Sequence, residues 1–438
     1  MKANINILKK SLLVLIFAVL FFPLIQTQLK LIKIWPLHGD IVIYENPVFS
    51  MDSWLESTYQ EKKEVYENSN FGFREVFVKL HNQIKFSLFR LPTAFGVIIG
   101  KENYFYEENY IKAYTGLDFL GEDSLKRIVN RIKFVSDTLS KLNKQLIIVL
   151  AAGKASYYPE YIPDSYLPVK GKTNYMVLSS LLKENKINHI DFNAYFMHEK
   201  SKSKYPLYPQ YGIHWSTFGT VLVADSIIKK IEILRGIDMP NLIYNEIELK
   251  PPYDIDYDIA SGMNLLFKLK SFDMAYPKIK TEKADNKIKP IVLVISDSFY
   301  WGMYGFGIGN SFSNDHFWYY NKQVYPETFK KELFVENLNF EKEILKQDVI
   351  IVMATEATLS KIGWGFFEMA EKHFKGIKND KSGKIELISQ LEEYKNAIRG
   401  DLKWMKQIEE KAKNRGISAD SMLTTDAFWL MNQKSVNN

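Results

Sequence analysis

The chain has 438 residues, a net charge of +6 from 57 basic and 51 acidic side chains, 46% apolar residues and no cysteine. The apolar fraction excludes disorder over most of the length, the evenly interspersed charges exclude the basic stripe that nucleic-acid binding needs, and the missing cysteine removes disulfides, thiolate metal sites and cysteine nucleophiles together. At this length, one large domain with additions or two domains is expected.

Lys2, Lys9 and Lys10 precede an apolar run from Ser11 to Ile25. The run is short of the roughly 20 residues that span a bilayer, but it can borrow Ile5 to Leu8 and Leu29 while the lysines reach toward the interface. A cleaved signal peptide would need small residues where the run ends. The run ends instead in Phe22-Pro23-Leu24-Ile25-Gln26, so residues 1–30 are read as a cytoplasmic stub and uncleaved signal anchor. The leading lysines place the N-terminus in the cytoplasm and everything after about Lys30 outside it, in a periplasm-like compartment bounded by the cytoplasmic membrane.

Residues 31–95 read as a helical lead-in, with Phe71-Gly72-Phe73-Arg74 before an apolar-periodic run from Val76 to Phe89. Val97 to Ile99 followed by Gly100 predicts a strand and a turn, and the alternating aromatics after it a second short strand. From Asp123 to Asn143, Leu125, Ile128, Val129, Ile132, Val135, Leu139 and Leu142 share one helical face, with Asp123 or Ser124 as the cap. Leu146 to Leu150 is a buried strand. Helices follow at about Asn174 to Asn185 and Thr217 to Leu234, with a short strand near Ile190 between them. Ile291 to Ile295 and Val349 to Met353 are two more continuous apolar strands. Apolar strands alternating with helices imply an α/β fold whose parallel sheet is covered on both faces. Residues 96–375 are taken as that domain. Residues 376–438 are taken as a helical tail, in which Ile398, Leu402, Trp404, Met405 and Ile408 suggest a helix docking on the body.

In such sheets ligands bind beyond the carboxyl ends of the strands. Ser298, in Ser296-Asp297-Ser298-Phe299, follows the strand at 291–295, where a nucleophile and its neighbouring backbone N–H groups belong; a turn serine capping a helix reads equally well from the local sequence. Of seven histidines, His214 stands out, just before a helix in a loop rich in proline and tyrosine that can carry a side chain into a cleft. Gly153 and Lys154 follow the strand at 146–150; Gly153 would let backbone approach a substrate and Lys154 would stabilise negative charge. Glu356 follows the strand at 349–353 and reads as a structural carboxylate. The histidines are scattered, without the clustering of a metal site, and no cofactor is expected.

Taken in order, these pieces resemble the SGNH-hydrolase-like proteins of the alginate O-acetyltransferase type, including those with a DHHW motif. The matching segments are Phe71-Gly72-Phe73-Arg74, Gly100 to Tyr106, Gly153-Lys154 with Tyr158 to Pro163, His214-Trp215-Ser216 with Gly219, and Ser296 to Phe299, so the resemblance runs from about Phe71 to Glu356. It implies an SGNH-hydrolase-like domain with Ser298 as nucleophile and His214 as base. The histidine precedes the serine here, as in this family and unlike ordinary GDSL-type esterases. The family's aspartate two residues before the histidine is Gly212 in this chain. Another carboxylate takes its role, with Asp191, Asp297 and Glu356 as candidates, or a backbone carbonyl does; or a Ser–His dyad works without one; or the site is degenerate.

The resemblance implies transfer of an acetyl group from a donor ester or thioester, through an acyl-Ser298 intermediate, onto a cell-envelope or exported polysaccharide. Trp215, Tyr300 and Trp301 would offer the sugar a stacking surface, although core packing is their commoner use. The family also implies a partner, a multispanning membrane O-acyltransferase that brings acetyl groups across the membrane. Two rival readings are a carbohydrate acetyl esterase using the same residues and a non-catalytic polysaccharide-binding scaffold, which Gly212 favours.

Overall fold

A computed structural model describes residues 2–39, 42–167 and 170–376 and, toward the C-terminus, 394–395, 398–399, 401–415, 419, 422–424 and 426–427. The chain divides into two compact units, Met1–Glu368 and Met369–Asn438.

The first unit opens with α1 (Lys2–Leu29), of which Ile7–Leu29 is long and apolar enough to cross a membrane. Three helices follow: α2 (Met51–Leu55), α3 (Thr58–Asn70) and α4 (Arg74–Phe89), and none of them has a buried residue. The Phe71–Arg74 segment is where this lead-in meets α1. Gly72 N donates to Thr27 Oγ1 (2.7 Å), and a Cβ at Gly72 would lie 2.3 Å from Pro23 O. Only glycine allows that approach of two backbones.

The hairpin β1 (Val97–Ile99) and β2 (Phe105–Glu107) pairs antiparallel. A Cβ at Gly100, in its turn, would meet Tyr161 O at 2.5 Å. The hairpin accordingly sits flat on the Tyr158–Pro163 segment, with Tyr104 and Tyr161 stacked at 3.8 Å and Tyr106 Oη donating to Tyr158 O (2.6 Å). These contacts give the Gly100–Tyr106 and Tyr158–Pro163 motifs a common structural reason.

Next come α5 (Glu108–Thr115), α6 (Glu122–Lys141), β3 (Gln145–Ala151), α7 (Lys154–Tyr157), α8 (Asn174–Glu184), β4 (His189–Asp191), α9 (Phe192–Glu199) and α10 (Thr217–Arg235). Leu125, Val129, Ile132, Val135 and Leu139 of α6 are buried as their spacing requires, whereas Ile128 is only partly covered and Leu142 is exposed. No side chain caps α6, which begins after Gly121. Past α10 the chain runs through two short antiparallel pairs, β5 (Leu242–Ile243) with β8 (Lys280–Thr281) and β6 (Ile247–Lys250) with β7 (Met274–Pro277), enclosing α11 (Asp258–Gly262). It then enters β9 (Val292–Ser296), α12 (Trp301–Gly305), β10 (His316–Tyr319), β11 (Gln323–Tyr325), α13 (Phe340–Leu345) and β12 (Val349–Thr355).

Six strands form the main sheet in the order β11-β10-β9-β12-β3-β4. Its strands run parallel except for edge strand β11, which pairs antiparallel with β10; the sequence reading placed neither of these two. Ile147, Val149, Val292, Val294, Val349, Ile351 and Met353 line one face and pack with Ile227, Ile228 and Ile231 of α10. Leu146, Ile148, Ile295 and Val352, which alternate with them, are buried as well, which is why these strands read as unbroken apolar runs. Met353 pairs with Ser296, and Thr355 with Ala151. The carboxyl ends of β3, β9 and β12 therefore lie side by side, and residues 153, 298 and 356 leave the sheet along one edge.

Within the second unit, the helix Leu402–Arg415 buries Ile408 and Ala412 in a small core with Ile398, Met422, Leu423 and Ala427, against which Trp404 and Met405 are partly buried. The side chain of Leu402 lies outside the described residues.

Candidate active site

Strand β9 ends at Ser296, and Asp297 caps a single 3-10 turn, Ser298–Tyr300. The Asp297 carboxylate accepts from Phe299 N (3.2 Å), Thr355 N (3.0 Å) and Thr358 Oγ1 (2.8 Å). It ties the serine turn to the end of β12. The Ser298 hydroxyl is thus presented at the carboxyl edge of the sheet from a turn fixed at both ends.

His214 reaches the same point from the loop before α10. Ser216 caps that helix, accepting from Gly219 N (3.0 Å) while its own hydroxyl donates to Pro206 O (2.7 Å). A Cβ at Gly219 would lie 3.1 Å from Leu207 O, so the Ser216–Gly219 spacing seats the helix start against the 206–207 segment. From this seat His214 Nε2 lies 2.9 Å from Ser298 Oγ, and its ring packs on Phe299 with centroids 4.6 Å apart.

The other ring nitrogen, Nδ1, is hydrogen-bonded to Asp258 Oδ2. Asp258 was not among the carboxylates the sequence suggested. It is the first residue of α11, and its Oδ1 accepts from Ile213 N (2.9 Å) and Ile259 N (2.7 Å). One carboxylate thus holds both the imidazole and the backbone beside it. Two residues earlier, Asp256 accepts from Thr217 N (3.1 Å) and Thr217 Oγ1 (2.9 Å) at the start of α10.

Gly212 has a steric reason. A Cβ there would meet Ile255 O at 2.3 Å and Pro209 Cγ at 2.9 Å. The segment that delivers Asp258 occupies the space a side chain at 212 would fill. The carboxylate beside His214 comes from a neighbouring loop, and the glycine at 212 leaves room for that loop. The alternating acids in Asp254-Ile255-Asp256-Tyr257-Asp258, just before a helix, were the available signal.

The other three candidates do different work. Asp191 caps α9, accepting from Ala194 N (3.0 Å), and accepts from Tyr175 Oη (2.9 Å). Asp297 pins the serine turn. Glu356 is buried, accepting from Ser156 Oγ (2.6 Å) and Asn193 Nδ2, and burial pushes its carboxyl up to about 7. Gly153 lies against Glu356, whose Oε2 would be 2.4 Å from a Cβ there.

Lys154 is fully buried and donates to Gln210 O (2.8 Å) and Gly212 O (2.7 Å). Its ammonium grips the backbone of the His214 loop from beneath, instead of facing the cleft as the sequence suggested. Burial draws its pKa down to about 7 against the opposing pull of Asp258 and Glu107. Trp215 and Tyr300 are core residues, 0% and 3% exposed, which removes them as sugar-stacking surface. Trp301 is partly exposed within an aromatic group that includes Phe317 and Tyr325.

The electrostatics suit a base. Burial alone would lower the imidazole pKa of His214, but the Asp258 charge and hydrogen bond, with Glu107 behind them, raise it above the usual value. Glu107, at the end of β2, is itself raised by burial and by the charge of Asp258. Among the described residues, no group of His, Asp and Glu has the arrangement of a metal site.

Comparison with known proteins finds a family match over part of the chain. Residues 97–242 match the family described as "SGNH hydrolase-like domain, acetyltransferase AlgX". The matched segment contains Lys154 and His214; Asp258 and Ser298 lie beyond it. No curated protein sequence matches the chain. Solved structures with similar folds include the O-acetyltransferase domain of Pseudomonas putida AlgJ (16% identity, TM-score 0.41, covering 60% of this chain and 92% of that one). Bacillus cereus PatB1 is similar at 12% identity and TM-score 0.36, covering 60% of this chain and 96% of that one. Pseudomonas aeruginosa AlgX has the same identity and TM-score, covering 59% of this chain and 55% of its own. Over residues 97–242 the chain is similar to that SGNH hydrolase-like family, and its α/β fold is SGNH-hydrolase-like.

Proposed function

We propose that the protein is an extracytoplasmic O-acetyltransferase that moves an acetyl group onto a cell-envelope or exported polysaccharide through an acetyl-Ser298 intermediate. The observation that carries the proposal is the continuous line from Ser298 Oγ to His214 Nε2 (2.9 Å) and from His214 Nδ1 to the Asp258 carboxylate. Nucleophile, base and orienting acid stand in the relation that acyl transfer requires.

In the first half-reaction His214 Nε2 takes the Ser298 proton as Oγ attacks the acetyl carbonyl of the donor. The tetrahedral intermediate collapses, the donor's C–O or C–S bond breaks, and the leaving group takes the proton from His214. In the second half-reaction a sugar hydroxyl gives its proton to the same nitrogen and attacks the acetyl-serine. Ser298 leaves and recovers the proton. Asp258 favours the tautomer with Nδ1 protonated and stabilises the imidazolium formed in each half. The Ser298 N–H, at the start of its turn, would donate to the developing oxyanion.

Gly212, which favoured a scaffold in the sequence, loses that force because Asp258 supplies the carboxylate. Helix α1 supports a membrane-anchored location, and a multispanning acyltransferase beside it would deliver the acetyl group to the donor side of this site. The AlgX type of the 97–242 domain supports a sugar acceptor over water.

The test is incubation of the full chain with an activated acetyl ester, read by intact mass and peptide mapping. Acetyl on Ser298, absent from Ser298→Ala and His214→Ala, is expected, and added acetyl-acceptor glycans should shorten the adduct's lifetime more than water does. A folded protein that forms no adduct would overturn the proposal. An adduct discharged only to water would make the protein an esterase.

A further inference from the structure

Helix α4 is turned inside out. In a soluble protein an amphipathic helix buries its apolar stripe and shows its polar one. Here Lys79, Asn82, Gln83 and Phe86, spaced i, i+3, i+4 and i+7, face the protein. Lys79 Nζ donates to Trp35 O (3.3 Å), and Asn82 Nδ2 donates to Met263 O (2.9 Å). Gln83 Oε1 accepts from Phe267 N (3.0 Å), and Phe86 packs edge-on against Phe105. The opposite stripe, Phe77, Leu80, Ile84 and Leu88, is exposed along the whole helix. From Phe77 to Leu88 it covers about 17 Å at 1.5 Å per residue.

That stripe continues into α1. Phe22 of α1 stacks on Phe73 with centroids 5.2 Å apart. A cleft of about 510 Å³ opens there, lined wholly by apolar residues, among them Val19, Phe22 and Pro23 from α1 and Phe73, Val76 and Phe77 from the start of α4. These α1 residues sit toward the carboxyl end of its apolar segment. Trp35, shortly after α1, is also exposed, as suits a residue at a bilayer boundary.

We infer that α4 is an interfacial helix lying in the outer surface of the bilayer beside α1, with Phe77, Leu80, Ile84 and Leu88 among the acyl chains and the polar stripe holding the catalytic domain. The occupant is lipid because the exposed stripe runs without a break into the segment that crosses the membrane. A helix in this position immerses its apolar face by about 5–10 Å, which matches contact with α1 near Phe22. The domain would then be held at one tilt by two elements instead of swinging from a single anchor. The inference rests on α1 spanning the membrane, as proposed above.

The chain has no cysteine, so Leu80→Cys, Ile84→Cys and Leu88→Cys each create one site for an environment-sensitive fluorophore. Ile233→Cys on α10 serves as an exposed control on the body, and Val14→Cys within α1 tests the span. Each full-length protein is reconstituted into phosphatidylcholine–phosphatidylglycerol vesicles and checked for unchanged acetyl-ester turnover. Blue-shifted emission at 80, 84 and 88, quenched more by shallow than by deep spin-labelled lipid, is expected, with no quenching at 233. Quenching at 14 but not at the three α4 positions would overturn the interfacial helix and leave the anchor standing. Quenching at none of the four would overturn both. Protection at α4 that appears only when a multispanning membrane protein is added would make the stripe a protein-docking face and likewise overturn the proposal.

Discussion

At the level of single residues, the proposed site turns on Asp258. Asp258 orients the His214 tautomer and stabilises its charged form, so Asp258→Asn is expected to lower kcat by about 10⁴-fold, the loss seen where such an aspartate is neutralised in place. The pH profile gives a separate readout. A general base must be neutral, so activity rises with pH through the His214 pKa. Burial lowers that pKa and the Asp258 charge more than restores it, so the acid limb should lie above the ordinary imidazole range in the native protein. In Asp258→Asn the largest raising cause is gone, with Glu107 and Asp297 left, and the limb should move to lower pH. An unmoved limb would mean that Asp258 does not act on the titrating group. Returning an aspartate to the histidine's own loop, as Gly212→Asp in the Asp258→Asn background, should not restore turnover, because its Cβ would meet Ile255 O at 2.3 Å. The family resemblance, together with positions beside recognisable element boundaries, points to Ser298 and His214, which the structure places 2.9 Å apart. Sequence spacing could not reveal Asp258, whose pairing with a residue 44 positions away depends on how a loop folds back.

At the level of elements, the His214 loop is held from several sides before it carries any chemistry. Phe105 N of β2 donates to Gln210 O (3.0 Å), Lys154 Nζ donates to the carbonyls of Gln210 and Gly212, and Ile213 N donates to Asp258. Lys154→Met keeps much of the stem volume and removes the donor. Gln210 O keeps Phe105 N as a donor, but the buried Gly212 O loses Lys154, and a buried carbonyl left unpaired costs about 1–3 kcal/mol, so the thermal midpoint should fall. Looser registration of His214 should also lower kcat with little change in KM, because the lysine touches backbone and no substrate. A variant with native stability and native kcat would show that the other clamps suffice. The same scale explains what could be read in advance. β3, β9 and β12 are buried on both faces, and that burial writes itself into the sequence as unbroken Val, Ile and Leu. Strands β10 and β11 are only four and three residues long, with His316 and Tyr319 at the ends of β10 and Gln323 beginning β11, too short for a periodicity to mark them. The Val76–Phe89 periodicity predicts a helix correctly, but periodicity does not tell which side of a helix faces the protein, and here it is the polar one.

For the molecule as a whole, the proposed chemistry and the proposed location rest on separate parts of the chain. Ser298, His214 and Asp258 lie at the carboxyl edge of the central sheet, and their turn, cap and clamps all come from residues 105–358. Helix α1 meets the lead-in at Gly72 and Phe73, well before the catalytic elements in sequence. A chain beginning at Lys33 should therefore turn over an activated acetyl ester at the rate of the full chain, with the same acid limb. It should not become fully indifferent to membranes. Loss of a spanning helix removes effectively irreversible insertion, whereas an interfacial helix confers weaker binding that depends on lipid composition. The truncated protein should thus co-sediment with anionic vesicles and be released as they are diluted, and Leu80→Asp with Leu88→Asp should abolish that binding while sparing ester turnover. In cells, polymer acetylation should fall much further than turnover in solution, because the site is no longer held where acetyl groups emerge. If ester turnover itself were lost from a well-folded truncated chain, α1 would have to contribute to the site and not only to its address.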